Sequence, residues 1–496
     1  MSATVRGVDV IPVAVEVVVS GGLPGISIVG MPDAAIQEAR ERVKAAIRAA
    51  GFTVPNEKIV INLAPSNVRK TGSGFDVPMA VGILAASQQI DPAWVKDTLY
   101  VGELSLEGRV RPVSGTLPCA ICARERGCAF VCAQESDPVP LEGVATFSLR
   151  HLGQLVQEGG AVRVLSAHDS APRQAAALPS LDFSDVAGHE VAKRAFQIAA
   201  AGSHGLLMMG PPGSGKTMLA SRIATILPPL TEDEAIEAAV VHSVANEPIE
   251  GIIAGRRPFR SPHHSATQAG LVGGGNPIRP GEISLAHHGV LFLDELAEFR
   301  VSALQSIRQP LESGAVSLTR ADGNVTFPAR FMLVAATNPC PCGYYGDDQH
   351  ECHCTVPQIH GYQNRIGGPL MDRIDLHLDV RRIPPGRVLE AGRGTSSAQL
   401  REAVVRGRAF AAWRRAQEDA VGTHGSRSPL ETCALADSAR QFLVSVAELR
   451  AMSGRAMVRT ALVARTIADM AESSEVLEEH VAEAINFRVR EGVGGS

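Results

Sequence analysis

The spacing of apolar residues divides the chain into three stretches of different character. From residue 1 to about 165, period-two and helical patterns alternate. IPVAVEVVV and KIVINLAP read as strands, DVPMAVGILAA as a helix, and DAAIQEARERVKAAIRAAG as a helix closed by Gly51. These predict an α+β unit over residues 1–165. SAHDSAPRQAAALPS (166–180) has no period and is rich in Ala, Ser and Pro, which predicts a linker. A second α/β unit, 181–385, opens with DFSDVAGHEVAKRAFQIAAAGSHGLLMMG, a capped helix leading into a short buried strand. After Pro384 and Pro385, residues 386–496 are helical in pattern, with four periodic stretches: AQLREAVVRGRAFAAWRRAQ, ADSARQFLVSVAELRAM, RAMVRTALVARTIADMAE and LEEHVAEAINFRV. The fold class expected is α/β multidomain, ending in a helical lid.

Composition narrows this picture. A chain of 496 residues is long enough for three units of about 100 to 200 residues, each with its own core. Aromatics make up 4%, so those cores must be mostly aliphatic. No apolar run reaches the ~20 residues that span a bilayer, and the first residues lack a basic start followed by a cleavable apolar stretch. The expected setting is the cytoplasm, with no membrane partner. A net charge of -5 excludes a uniformly basic surface but leaves room for a basic channel. Nine cysteines without an export signal imply reduced thiols. Of these, Cys119, Cys122, Cys128 and Cys132 alternate with apolar residues and read as buried small hydrophobes.

The sharpest chemical signal is Gly210-Pro211-Pro212-Gly213-Ser214-Gly215-Lys216-Thr217. It fits GxxxxGK[ST], follows the apolar GLLMM and precedes a helical run. Glycines let backbone N–H groups turn inward on phosphates, and the helix N-terminus adds partial positive charge. Lys216 would reach the β and γ phosphates of ATP, and Thr217 would ligate Mg²⁺. Downstream, VLFL runs into Asp294 and Glu295, as a buried parallel strand ending in acids would. Asp294 is then the Mg²⁺ partner and Glu295 the residue that orients the attacking water. RFMLVAAT ends in Asn338, whose amide suits the γ phosphate; the alternative is a turn asparagine before Pro339. Arg373, in GPLMDRIDLHLDV, suits an arginine finger acting across a subunit boundary; the alternative is an ion pair with Asp372 or Asp375.

Cys340, Cys342, Cys352 and Cys354 form CPC and CHC with nine residues between the pairs. Four thiolates could enclose Zn²⁺, with His350 or His353 spare, although one intervening residue is tighter than the usual C-x₂₋₄-C. The alternative is a loop ordered by reduced cysteines alone. Basic residues suited to DNA fall in three places: Arg256, Arg257, Arg260, His263 and His264 in GRRPFRSPHHSAT; Arg320 and Asn324 at the tip of a hairpin; and Arg401, Arg408 and Arg415 on one helix face. That last stripe reads first as a solvated face, and the paired histidines equally suit metal ligation or packing.

Longer strings carry a resemblance. GLPGISIVGMPDAAIQEARERV and INLAPSNVRKTGSGFDVPMA in the first unit, with RPFRSPHHSAT, LVGGGNPIRPGEISLAHHGVLFLDELAEF and NPCPCGYYGD in the second, resemble the magnesium-chelatase-like AAA+ ATPases in their ComM/YifB branch, over nearly the whole chain. The resemblance implies a homo-oligomeric ring, a hexamer, with ATP and Mg²⁺ between subunits. It implies a helicase that drives branch migration of single-stranded or branched DNA during recombination or natural transformation. A metal-chelatase motor subunit and a protein remodeller are the alternatives, the latter with Phe259 as its gripping aromatic. The family also implies a nucleotide-sensing lid arginine, for which Arg455 matches best and Arg459 lies one turn later. The first unit resembles the Lon protease domain. In KTGSGFDVPMA, Gly74 stands at the serine position beside Ser73, and in GELSLEGRVRPVSGTLP, Leu117 replaces the lysine. A serine without a base is not activated, so a non-proteolytic module is expected, with Ser73 and Lys70 the residual pair to check.

Overall fold

Each apolar pattern forms the element its period dictates. The computed structural model describes residues 1–91, 95–136, 141–155, 157–158, 161–162, 166–167, 181–275, 277–320, 323–384, 386, 394–420 and 429–488. At the N-terminus β1 (Ser2–Arg6), β2 (Asp9–Ser20), β3 (Gly25–Val29) and β4 (Lys58–Ala64) form a mixed sheet in the order β1–β2–β4–β3. Helix α1 (Ala34–Ala49) starts where the Asp33 carboxylate accepts the Ile36 amide. Just beyond its end Gly51 has φ 85°, which a residue without Cβ adopts freely. Helix α2 (Asp76–Ala86) is buried over most of its length against this sheet. A second sheet has the order β8–β7–β6–β5, from β5 (Thr98–Tyr100), β6 (Ala129–Ala133), β7 (Thr146–Leu149) and β8 (Ser166–Ala167), with α3 (Thr116–Glu125) alongside. Cys119, Cys122, Cys128 and Cys132 sit in its core, and burial pushes the Cys119 and Cys132 thiols up to about 12. Residues 166–167, expected to begin the linker, instead pair with β7; 168–180 lie outside the described residues.

The middle of the chain forms a five-stranded parallel sheet in the order β10–β11–β14–β9–β15. Its strands are β9 (Leu206–Met209), β10 (Phe259–Arg260), β11 (Val290–Leu293), β14 (Met332–Thr337) and β15 (Leu376–Asp379). The unbroken apolar runs of β9, β11 and β14 follow from cover on both faces. One face carries α4 (Glu190–Gly202), where Phe196 meets Met208 and Val334. The other carries α7 (Val301–Ser313), where Leu304 and Ile307 meet Leu207, Leu291 and Leu333. The hairpin of β12 (Ala315–Arg320) and β13 (Gly323–Pro328) forms as expected.

The C-terminal helices α8 (Ser397–Ala420), α9 (Asp437–Leu449), α10 (Gly454–Met470) and α11 (Glu478–Asn486) are not a detached lid. Val404, Leu443, Val463 and Val481 join the same core as Phe196 and Met208. Here the arginine stripe departs from a solvated face. Arg408 is largely buried, donating at 2.6 Å to the Ala200 carbonyl near the end of α4, and Arg401 donates to the Thr225 carbonyl at 2.8 Å. The N-terminal unit also docks on this core. Leu117 of α3 packs with Ala235 and Ala238 of α6 (Glu232–Ala245), and the Gly115 amide donates to the Ser243 carbonyl at 2.9 Å. Val325 and Phe327 of the hairpin pack with Val5 and Val8.

Candidate nucleotide-binding site

Parallel strands send all their carboxyl ends to one edge, and a ligand crevice forms there when the following loops diverge. The loop 210–217 leaves β9 at that edge, Asp294 and Glu295 leave β11, Asn338 leaves β14, and the chain toward His263 and His264 leaves β10. Four separate sequence signals thereby converge on one rim.

The loop has the shape of a phosphate cradle. Gly213 and Gly215 have φ 78° and 87°, which β-carbon-bearing residues adopt only under strain. At Gly210 a Cβ would lie 2.1 Å from the Val380 carbonyl oxygen, so the close approach of loop and β15 requires glycine. Helix α5 (Lys216–Ser221) begins at the loop's end. Lys216 is buried and its Nζ donates to the Gly210 and Pro211 carbonyls at 2.7 and 3.0 Å and to Asn338 Oδ1 at 3.3 Å. Burial holds its ammonium below the ordinary lysine range, opposed by the Asp294 carboxylate. Ser214 Oγ is buried without a hydrogen-bond partner among the described residues. A cation folded onto its own loop beside an unpaired hydroxyl is the arrangement that phosphate oxygens would satisfy.

Thr217 Oγ1 donates to Asp294 Oδ2 at 2.6 Å. A hydroxyl and a carboxylate in contact beside a phosphate loop form the donor set that a Mg²⁺–nucleotide takes. Glu295 adopts a left-handed backbone, φ 51° and ψ 47°, which turns its side chain off the strand axis; its amide donates back to Asp294 Oδ1 at 2.9 Å. Glu295 Oε2 lies 2.8 Å from His264 Nδ1. The rings of His263 and His264 are 4.1 Å apart, and His263 Nδ1 meets Ser265 Oγ at 2.8 Å. The histidine pair thus combines packing with a polar contact to Glu295.

Two sequence-expected residues lie elsewhere. Arg373 precedes β15 at the amino end of the sheet, and Leu206 pairs with Leu376 in parallel register. A four-residue strand of about 13 Å therefore separates Arg373 from the phosphate loop. Its partner is neither Asp372 nor Asp375 but Glu312 of α7, at 2.9 Å. Glu312 also takes an ion pair from Arg455. The two arginines meet on one carboxylate, far from the loop of their own chain, while Arg459 pairs with Asp375 at 3.1 Å.

The basic segment is also rearranged relative to expectation. Arg260 is held by Glu282 at 2.6 Å and Glu247 at 2.8 Å, and Arg257 by Glu234 at 2.9 Å, so both charges are compensated internally. Arg256 and His263 are exposed. Arg320 pairs through its backbone with Gly323, and its side chain lies outside the described residues; Asn324 is exposed. Sequence reasoning missed three residues. Arg382, just past β15, donates to the Pro212 carbonyl at 2.9 Å, and a basic pair directly after a strand end was the available signal. His189, at the start of α4, hydrogen-bonds the Ser214 backbone, and burial, with nearby Lys193, holds its imidazole below the usual range. Glu312 carried no local signal at all. A cavity of about 670 Å³ lies away from this rim, lined by Arg408, Arg414, Arg459, Arg465 and Asp469. Its acids already pair with these cations, Arg414 and Arg465 with Asp469 and Arg459 with Asp375.

In the N-terminal unit, Ser73 donates to Glu103, whereas buried Lys70 donates to the Pro65 carbonyl. The two side chains are turned to different partners.

Comparison with known families places this geometry. Residues 182–388 match the model described as magnesium chelatase, subunit ChlI; residues 15–136 match subunit ChlI of Mg-chelatase; and residues 394–488 match its C-terminal part. The chain is 41% identical to the competence protein ComM of Haemophilus influenzae, over 97% of this chain and 95% of the relative. It is 40% identical to YifB of Escherichia coli over 97% and 95%. Similarity to the magnesium-chelatase 67 kDa subunit of Chlorobaculum parvum is 31% over 159 residues, covering 32% of this chain and 23% of that one.

Proposed function

This chain belongs to the magnesium-chelatase-like proteins, in their ComM/YifB subfamily, and from that premise we propose that it is an ATP-driven, ring-forming motor that acts on DNA as a helicase in branch migration. The observation that carries the reading is the separation of two half-sites on one sheet. Lys216, Thr217, Asp294, Glu295 and Asn338 stand at the carboxyl rim, while Arg373 and Arg455 stand together at the opposite end. Arginines so placed serve a nucleotide held by the adjoining subunit, and head-to-tail repetition of such a contact closes a ring, for which six subunits is the reading adopted.

Within the site, Lys216 and the backbone amides of the loop hold the β and γ phosphates. Thr217 and Asp294 hold the Mg²⁺ that accompanies the nucleotide and neutralises developing charge. Glu295 orients the attacking water, Asn338 reaches the γ phosphate, and an arginine of the neighbour offsets charge in the transition state. His264 sits beside Glu295 in the segment that also exposes Arg256 and His263, which links hydrolysis to whatever that segment touches.

The DNA assignment draws on likeness to a competence protein and on those exposed basic groups. Phosphate contacts of this kind ignore sequence and weaken with salt, as translocation requires. The remodeller reading is weakened because Phe259 packs on Phe292, ring centroids 6.1 Å apart, rather than standing free to grip a polypeptide. The chelatase reading is weakened because the likeness to the competence protein runs over 97% of this chain, whereas that to the 67 kDa chelatase subunit of Chlorobaculum parvum covers 32%. The N-terminal unit is read as a non-proteolytic, Lon-like assembly module, in keeping with Leu117 packed on α6 and Ser73 and Lys70 apart. The deciding measurement is ATP turnover with and without single-stranded or forked DNA, over a range of salt. Stimulation lost at high salt is expected; equal turnover with and without DNA, in a preparation that forms rings, overturns the DNA assignment.

A further inference from the structure

We infer that the loop from Pro339 to Thr355 is closed by a structural Zn²⁺ held by four thiolates, and that this clip fixes one wall of the phosphate loop. The sulfurs of Cys340, Cys342, Cys352 and Cys354 all lie within 4.8 Å of one another. Three of the separations are 3.3 Å (Cys340–Cys342), 3.6 Å (Cys342–Cys352) and 3.7 Å (Cys340–Cys352). A tetrahedral Zn²⁺ with Zn–S of about 2.3 Å demands sulfur–sulfur edges of about 3.8 Å, so one ion at the centre brings all four into bonding range. A disulfide needs about 2.05 Å, and none of these thiols is paired. The single-residue spacing that looked tight in the sequence is workable because each C-x-C supplies one edge of the tetrahedron. Between the pairs the chain reverses through Gly343 and Gly346, at φ 87° and 78°.

The surroundings fit a thiolate cage. The Tyr345 amide donates to Cys340 Sγ at 3.4 Å, the kind of backbone contact that steadies a metal-bound sulfur. His350, a possible spare ligand on spacing alone, is used elsewhere: its ring stacks on Tyr344 with centroids 4.9 Å apart, and its Nδ1 meets Asp347 at 3.1 Å. Four sulfurs therefore complete the set, which is the closed shell of a structural rather than a catalytic site. Binding releases thiol protons to solvent and involves no change of oxidation state.

The clip lies against the nucleotide rim. It begins two residues after Asn338, which touches Lys216. A Cβ at Gly343 would lie 2.7 Å from Pro212 Cδ, so the cysteine loop rests directly on the phosphate loop. Arg382 ties the two together, donating to the Pro212 carbonyl at 2.9 Å while its Nε lies 3.6 Å from Asp347. The effect on nucleotide rests on the site proposed above; the metal content does not.

The test is elemental analysis of the full chain purified without chelator, with thiol titration of the native protein. We expect about one zinc per chain, reaction of the partly exposed Cys342, Cys352 and Cys354 thiols that rises when chelator strips the metal from the folded protein while the buried cysteines outside the cluster stay protected, and, on Co²⁺ substitution, the thiolate charge-transfer and visible bands of a tetrahedral sulfur site. Cys352→Ser and Cys354→Ser should each lose the zinc, and Cys433→Ala, outside the cluster, should keep it. Where the serine variants do not fold, the wild-type zinc and cobalt readouts decide. Folded wild-type protein with under about 0.1 zinc per chain, or a Co²⁺ spectrum without sulfur bands, overturns the metal site. Zinc present but an unchanged nucleotide Kd in the folded, zinc-free Cys352→Ser variant overturns the coupling to the phosphate loop alone.

Discussion

His264 Nδ1 stands 2.8 Å from Glu295 Oε2, so a residue of the basic segment holds the carboxylate proposed to orient water. The contact is partly exposed and should be worth at most ~1 kcal/mol, about fivefold in rate. His264→Ala is expected to raise DNA-independent ATP turnover by no more than that factor and to shrink the further stimulation by DNA. Unaltered stimulation in the variant would leave the contact without a coupling role. Glu295→Gln should behave differently, binding ATP normally while turnover falls by roughly 10²–10⁴, the usual share of a positioned general base.

Lys216 gives the site a pH dependence of definite sign. Burial lowers its pKa in the free protein, whereas phosphate oxygens favour the charged form and raise it on binding. ATP is thus bound more tightly by the protonated lysine. Affinity should fall as pH rises through the lowered pKa of the free protein, with proton uptake on binding in that window. Titration of a fluorescent nucleotide from neutral to alkaline pH checks the slope, and in Lys216→Ala the slope should vanish. That variant should also lose about 1.5–3 kcal/mol of affinity, the range for a charged hydrogen bond.

Arg373 and Arg455 share Glu312 at the end of the sheet remote from their own phosphate loop. If they serve the neighbour, two inactive variants must complement. Lys216→Ala spoils only its own loop, and Arg373→Ala spoils only what it offers next door. In rings mixed at equal ratio about a quarter of head-to-tail interfaces pair an intact loop with an intact arginine. Mixing should therefore restore measurable ATP turnover that neither variant has alone. No recovery in rings verified to be mixed would assign Arg373 to its own subunit.

The strands and the phosphate loop were legible because their signals are local. Runs such as LLMM and VLFL are fully buried β9 and β11, and each leads straight into a residue of the rim, Gly210 and Asp294. The ion pairs were not legible. Glu312 meets an arginine 143 residues away, and no spacing rule reaches across that distance. The same limit applied to Arg260, whose neutralisation by Glu247 and Glu282 depends on how the chain just past α6 and the segment around Glu282 fold together, not on the composition of GRRPFR.

Arg408 illustrates the limit with a stability consequence. A seven-residue recurrence showed that Arg401, Arg408 and Arg415 share a face but not that α4 lies under it. The Arg408 guanidinium donates to the Ala200 carbonyl and to Ser203 Oγ, and burial lowers its pKa to about 10. Arg408→Ala leaves those helix-end acceptors short of a donor and should cost about 1–3 kcal/mol. Arg415, exposed and, among the described residues, bonded to its own helix at Ala411, should tolerate alanine within about 0.5 kcal/mol. Thermal unfolding of the two variants separates them.

Arg256 and Arg260 sit four residues apart and should fail in different assays. Arg260 is clamped between two carboxylates, so Arg260→Ala leaves Glu247 and Glu282 facing each other without the cation between them, and its first effect is on stability. Arg256 is exposed, and on the proposed DNA track such a surface cation would contribute through phosphate contact. Arg256→Ala should leave thermal stability within about 0.5 kcal/mol, weaken DNA binding evenly across sequences, and reduce the slope of log affinity against log salt by about 1. An unchanged salt slope would remove Arg256 from the track, and with it the strongest exposed cation that the β10 segment offers to nucleic acid.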